Sequence, residues 1–108
     1  MLRQKFKLTF IDLFEEDLNE IVDYITYQLK NPDAATKLVY DIEKAIYHRL
    51  EMPLSFAPVQ SAKERKQTYY RINVRNFSVF YVVINDTMEV RRVLYSKRNI
   101  DDLLFDNN

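Results

Sequence analysis

Glycine is absent from this chain of 108 residues, where average usage of about 7% would supply roughly seven. That excludes the glycine-dependent phosphate loops of both the Walker and the dinucleotide-binding kinds. It also leaves the turns to Asn, Asp and Pro. Cysteine is absent as well, which removes disulfides, thiolate metal ligands and cysteine nucleophiles and suits a reducing cytoplasm. The single histidine, His48, stands between Tyr47 and Arg49, off the apolar stripe of its segment, and is expected to face solvent. No Ser-His-Asp set can be built around it. Carboxylates are plentiful but spread at ordinary helical spacing, so neither a metal nor a cofactor is expected. No apolar run approaches the roughly 20 residues that cross a bilayer. The opening MLRQKFKLTF is too short and too polar for a signal peptide, and no membrane association is expected.

What is present describes a folded globule. Hydrophobic residues make up 47% and aromatics 14%, and the length suits one core, so residues 1–108 are read as a single domain. The net charge is zero, but it is unevenly spread. Residues 1–60 hold seven Lys/Arg against ten Asp/Glu, residues 61–100 hold nine against three, and residues 101–108 hold three Asp. The basic second half is either a contact surface for an acidic partner or nucleic acid, or a solvated sheet face balanced by acidic helices.

Periodicity gives the elements. Phe6, Leu8 and Phe10 alternate with polar residues as a short half-buried strand. Asp12 is expected to cap a helix over about 13–30, with Glu15 completing a capping-box pattern. Phe14, Leu18, Ile21, Val22, Ile25 and Leu29 form its apolar stripe. Tyr24 and Tyr27 flank the stripe and are expected at the core edge, partner contact being the alternative. Asn31-Pro32 caps the next helix, whose stripe is Ala35, Leu38, Val39, Ile42, Ile46 and Leu50. Met52-Pro53 ends it, and a loop over 53–68 carries Lys63, Arg65 and Lys66.

The second half holds three strands. Tyr70, Ile72 and Val74 alternate with Arg71, Asn73 and Arg75, one face apolar and one basic. Phe77 to Ile84 is almost wholly β-branched or aromatic, the composition of a central strand covered on both sides. Asn85-Asp86-Thr87 turns into a strand from Met88 to Tyr95, in which Arg91 and Arg92 point opposite ways. Ile100, Leu103, Leu104 and Phe105 suggest a last helical turn, and Asp106 to Asn108 should fray. The predicted class is α+β, with the order β-α-α-β-β-β: a helical hairpin on one face of a small antiparallel sheet. Its chemistry lies in basic residues. Arg71, Arg75 and Arg98 are suited to phosphate because a planar guanidinium donates two hydrogen bonds at once. Sheet-face arginines held by acidic partners explain the same residues.

The chain resembles the RelE/ParE superfamily of toxins from bacterial type II toxin–antitoxin modules. The landmarks are Asp17-Leu18-x-x-Ile21-x-x-Tyr24-Ile25 and Asn31-Pro32-x-Ala34-Ala35. They continue with Tyr70-Arg71-x-x-Val74-x-Asn76-Phe77-x-Val79-Phe80-Tyr81, then Arg92-Val93-Leu94-Tyr95-x-x-Arg98-x-Ile100-x-x-Leu103-Leu104. The resemblance implies a small cytoplasmic bacterial toxin, neutralised by a cognate antitoxin in a hetero-oligomer. It also implies one of two activities. ParE-like members inhibit DNA gyrase and need no catalytic centre. RelE-like members cut mRNA on the ribosome, and for that activity Arg71, Arg75, Arg98 and Tyr95 would be the catalytic set. Ser78 stands where the nuclease branch has an arginine in its central strand, and Leu104 near its C-terminal tyrosine. The Asn-Pro-x-Ala-Ala joint and the Arg-x-Ile-x-x-Leu-Leu ending look ParE-like, and the expected activity is gyrase inhibition.

Overall fold

The computed structural model describes residues 5–60, 66–98 and 103–104. The elements are β1 (Lys7–Phe10), α1 (Asp12–Asp23), a π-helical segment (Tyr24–Gln28), α2 (Pro32–Leu50), β2 (Tyr70–Val74), β3 (Phe77–Ile84) and β4 (Thr87–Tyr95). Class and order are those predicted. The sheet runs β1-β4-β3-β2. β2, β3 and β4 form the expected meander, but β1 joins parallel to β4, from Lys7 opposite Thr87 to Phe10 opposite Val90. The sheet is therefore mixed.

Asp12 is not the helix cap. Ile11 holds that position in an extended conformation, with no side-chain cap. Its N–H donates to the Val90 carbonyl at 3.1 Å, so strand pairing runs up to the helix and leaves no capping turn. Asp12 and Glu15 sit inside the first turn, where carboxylates favour the positive helix end.

The first helix also does not run evenly to residue 30. From Tyr24 the turn widens, and the Leu29 N–H donates to the Tyr24 carbonyl five residues back, at 3.1 Å. The wider turn rotates the end of the helix. Ile25 still packs on the core. Leu29, predicted on the stripe, is 55% exposed, and Tyr24 and Tyr27, predicted at the core edge, are 56% and 71% exposed. Lys30 reverses the chain with φ of 53°. Asn31 then caps α2 as predicted, its side chain accepting from the Ala34 N–H at 3.2 Å. α2 buries Ala35, Leu38, Ile42 and Ile46, each large one contributing about 1.5–3 kcal/mol through apolar area removed from water.

Two cores result. On the helical face of the sheet, Phe14, Leu38, Ile42 and Ile46 pack against Ile72, Val74, Val79, Tyr81, Met88, Val90 and Val93. On the other face Tyr69, Phe80, Val82, Leu94 and Leu104 form a smaller cluster with Val59 and Leu103. β3 is thus covered on both sides, as its composition predicts. Leu103 and Leu104 are the described part of the predicted last helical turn. Ile100, Phe105 and the terminal Asp106 to Asn108 lie outside the described residues, as do Lys63 and Arg65 of the basic loop.

Without glycine, the reversals fall on other residues. Both hairpins have two-residue loops, Arg75-Asn76 and Asn85-Asp86, and the first residue of each is left-handed, with φ of 56° and 57°. Asn tolerates this geometry, whereas for Arg it costs about 1–2 kcal/mol. Arg75 is therefore a turn residue, and the predicted alternation of basic side chains stops at Asn73. A bulge sits in β4. Phe80 lies opposite Arg92 and Tyr81 opposite Val90, so Arg91 is the extra residue.

Candidate functional site

The predicted basic face survives around Arg71. Its Nε donates to Asn73 Oδ1 and to Ser78 Oγ, both at 2.9 Å. The Ser78 hydroxyl is fully buried. It donates to Asn73 Oδ1 at 3.0 Å and lies 2.7 Å from Ser96 Oγ. A hydroxyl has one proton, so with that proton on Asn73 the Ser96 hydroxyl is the donor to Ser78. The guanidinium carbon sits 5.6 Å from the centre of the Phe80 ring, on the sheet face away from the helices. Arg71 is thus held by neutral oxygens, and among the described residues no carboxylate pairs with its charge.

The other three predicted residues lie elsewhere. Arg75 reaches to α2, with Nε 2.9 Å from Asp41 Oδ2 and Nη2 bonded to the same oxygen. Tyr95 packs edge-on against Phe77 at 6.0 Å, and Phe77 packs on the helical-face core. Arg98 lies just past the last strand, its N–H donating to the Tyr95 carbonyl at 3.0 Å, with an exposed side chain. The sheet therefore separates Arg71 from Arg75 and Tyr95. His48 is exposed, as predicted.

Arg91 and Arg92 reach different partners. Arg91 is buried and donates to Glu89 Oε2 at 2.7 Å and to Tyr69 Oη at 3.0 Å. Burial works against its charge, but the bonds to Tyr69 and Glu89 outweigh that and raise its pKa. Arg92 forms a bidentate pair with Asp17 of α1, Nε to Oδ2 at 2.7 Å and Nη2 to Oδ1 at 2.9 Å, and donates to the Leu103 carbonyl at 2.6 Å. Asp17 also accepts the Val93 N–H at 3.2 Å. β1 ends at Phe10 opposite Val90, so beyond that point β4 has an open edge, and Asp17 satisfies it. The only sequence signal for this was an acid three residues after Phe14 and four before Ile21, on the border of the apolar stripe.

A second polar hub was not foreseen. Tyr81 Oη donates to the Pro53 carbonyl at 2.8 Å and accepts from Arg49 Nη1 at 2.9 Å. The same Arg49 nitrogen reaches the Arg71 carbonyl at 3.3 Å, and its guanidinium stacks 3.5 Å over Phe56. The hub ties the loop after α2 to the sheet. Burial raises the Tyr81 pKa, and the Arg49 hydrogen bond only partly offsets it. Among the described residues there is no group of three or more His, Asp or Glu placed to hold a metal, and no helix is long and apolar enough to cross a membrane.

This fold and this arrangement have known relatives. The family model described as "ParE toxin of type II toxin-antitoxin system, parDE" matches residues 8–100. The chain belongs to the ParE toxin family. It lies within the wider RelE/ParE superfamily, and as a type II toxin it has a cognate antitoxin as its partner. Among solved structures, it is similar to a chain of "Chromosomal ParDE TA system from P. aeruginosa", with TM-score 0.73 and 19% identity over 87% of this toxin and 99% of that chain. That likeness is one of fold. A chain of the RelB-RelE antitoxin–toxin complex from Methanococcus jannaschii aligns with TM-score 0.47 and 27% identity, over 90% of this toxin and 99% of that chain. No curated protein matches the toxin.

Proposed function

We propose that this toxin acts in the bacterial cytoplasm as a ParE-like inhibitor of DNA gyrase, by binding and without a catalytic centre, metal or cofactor of its own. The observation that carries the reading is the ParE family match over residues 8–100. The placement of the basic residues supports it. A nuclease needs a base and charge-stabilising cations around one phosphate, each within about 3 Å of its target. Here Arg71 stands on one sheet face, while Arg75 is bonded to Asp41 and Tyr95 packs on Phe77 on the other. The test is supercoiling of relaxed plasmid by purified gyrase. Loss of supercoiling or accumulation of cleaved DNA at stoichiometric toxin is expected. Full supercoiling at large toxin excess refutes the reading.

One observation favours a second reading, a ribosome-dependent mRNA endonuclease. Arg71 is fixed by Ser78 and Asn73 with no carboxylate beside it among the described residues, which suits a phosphate. Under this reading Arg71, Arg75 and Arg98 bind the phosphate and Tyr95 transfers the proton. Arg71→Ala and Arg98→Ala then abolish toxicity at matched protein levels. Retention of toxicity by both variants excludes it.

A further inference from the structure

A pocket lies where α2, the loop after it and β2 meet. Lys44, Ala45, His48 and Arg49 form one wall, and Phe56 and Ile72 form the other. Lys44 and His48, like Ala45 and Arg49, stand one helical turn apart, so the four share a side of α2. The pocket encloses about 520 Å³, inside the range of roughly 300–1,000 Å³ typical of small-molecule sites. Arg49 is its fixed point. The guanidinium stacks 3.5 Å over the Phe56 ring, and Nη1 makes both hydrogen bonds of the group, to Tyr81 Oη and to the Arg71 carbonyl. Nε and Nη2, the open edge of the fork, have no partner among the described residues, and no carboxylate there pairs with the charge. Arg49 is half-buried, where an unpaired charge is costly. Lys44 and His48 are exposed and likewise have no partner among the described residues. Asp41 also lines the pocket, but its Oδ2 already holds Arg75.

We infer that this pocket binds a small phosphomonoester that carries a flat ring, of the nucleoside monophosphate class. The phosphate lies against Arg49, Lys44 and His48, and the ring against Phe56. Three observations select this chemistry. The free edge of Arg49 offers two parallel N–H groups to one anion, the bidentate arrangement that suits phosphate and carboxylate. Arg49 and Lys44 together supply two positive charges and His48 a ring N–H, which matches a phosphomonoester of charge near −2 better than a single carboxylate. Phe56 is 49% exposed and, with Ala45 and Ile72, gives the pocket an apolar side on which a base stacks. His48 and Arg49 stand in the last turn of α2, whose negative end opposes an anion, but that effect is weaker than one charge-assisted hydrogen bond. The inference goes beyond the reading of the toxin's target and holds for either one. A bound ligand would tie the loop after α2 to the helix through Phe56 and Arg49.

The test is titration of the purified toxin with adenosine 5′-monophosphate, inorganic phosphate and adenosine, followed by calorimetry and by backbone amide NMR shifts. The monophosphate is expected to bind with Kd of about 1 mM or tighter, with the largest shifts at Lys44 to Arg49 and at Phe56. Inorganic phosphate and adenosine, each lacking half of the contacts, should bind about tenfold more weakly or worse. Lys44→Gln/His48→Gln alters only exposed side chains that hold nothing else among the described residues, so the fold is kept, and it should weaken the monophosphate about tenfold. Arg49→Lys keeps the charge but loses the fork and should weaken it at least about threefold. Lys37→Gln, on exposed α2 surface outside the pocket, should change it less than about twofold. A trinucleotide that binds tighter with a 5′-phosphate than the free monophosphate does, and not with a 5′-hydroxyl, upholds the site and makes its source a strand end. No binding at about 10 mM monophosphate, shifts centred elsewhere, or affinity unchanged in Lys44→Gln/His48→Gln overturns the inference. Adenosine binding as tightly as its monophosphate overturns it too.

Discussion

Replacing Asp17 by Ala should strongly destabilise the toxin without unfolding it. The Asp17 and Arg92 side chains are 9% and 11% exposed, so the charges are shielded from water and from salt. Removing one partner of such a pair leaves the other charge buried and uncompensated, a loss of about 3–5 kcal/mol. The Val93 N–H loses its acceptor at the same time, which alone is worth about 1–3 kcal/mol. The two losses share one carboxylate and do not simply add. A domain of this size is stable by about 5–15 kcal/mol in total. With a urea dependence of about 2 kcal/mol per molar, the midpoint should fall by about 1.5–2.5 M. Asp17→Asn keeps an acceptor for Val93 but loses the ion pair, and should lie between Ala and wild type. Asp17→Leu/Arg92→Met removes both charges and should be more stable than Asp17→Ala, because no lone charge is left in the interface between α1 and β4. The measurement is urea unfolding followed by circular dichroism. A loss below about 1 kcal/mol for Asp17→Ala, or a double variant less stable than the single one, would show that the pair is not the clamp between α1 and the open edge of β4.

Tyr81→Phe leaves Arg49 and the Pro53 carbonyl without their shared hydroxyl and should cost about 1–3 kcal/mol, with faster proteolysis in the loop after α2. Tyr81 has its pKa raised by burial from the ordinary 10.0. The unfolded state therefore loses this proton first, and stability should be flat below pH 10 and fall as pH rises through the folded pKa; Tyr81→Phe should remove that part of the alkaline decline in a pH series of thermal melts. Asn85→Gly should hold or raise the melting temperature by a few degrees, since φ of 57° is free of steric cost for glycine; a drop of more than a few degrees would mean that the Asn85 side chain stabilises the turn.

Periodicity made the helical hairpin legible because Ala35, Leu38, Ile42 and Ile46 need only a straight helix to fall on one side. It misplaced Leu29, Tyr24 and Tyr27 because a widened turn changes the phase of the stripe and leaves no residue-type signal of its own. The meander was legible from alternation and from the Asn85-Asp86 turn. The parallel partner of β1 was not, since alternation in Lys7–Phe10 says that one side is buried but not which strand lies beside it. Within the candidate site, period two correctly joined Arg71 to Asn73 and failed at Arg75, because a non-glycine residue took the left-handed position. Asp17 and Tyr81 stayed hidden because each acts through a partner far along the chain, Arg92 and Arg49, and nothing in local spacing links them.

The excess of positive charge in residues 61–100 reads differently once its partners are known. Arg75, Arg91 and Arg92 are bonded to Asp41, Glu89 and Asp17, so their charge is already compensated inside the fold. Arg71, Lys66, Lys97 and Arg98 are the described cations of that region with no carboxylate partner. Each phosphate contact contributes about −0.7 to the slope of log affinity against log salt for a single strand. Four such contacts give a slope near −3, and Lys63 and Arg65 extend it to about −4. A single-stranded RNA titrated between about 50 and 200 mM salt should therefore bind weakly, with a slope no steeper than about −4. A slope beyond about −5 would mean that cations outside this set, the paired arginines or the lysines of residues 1–60, also contact phosphate, and would favour the nuclease reading. A shallow slope fits a toxin whose arginines chiefly hold its sheet and helices together and whose target is gripped by protein–protein contact.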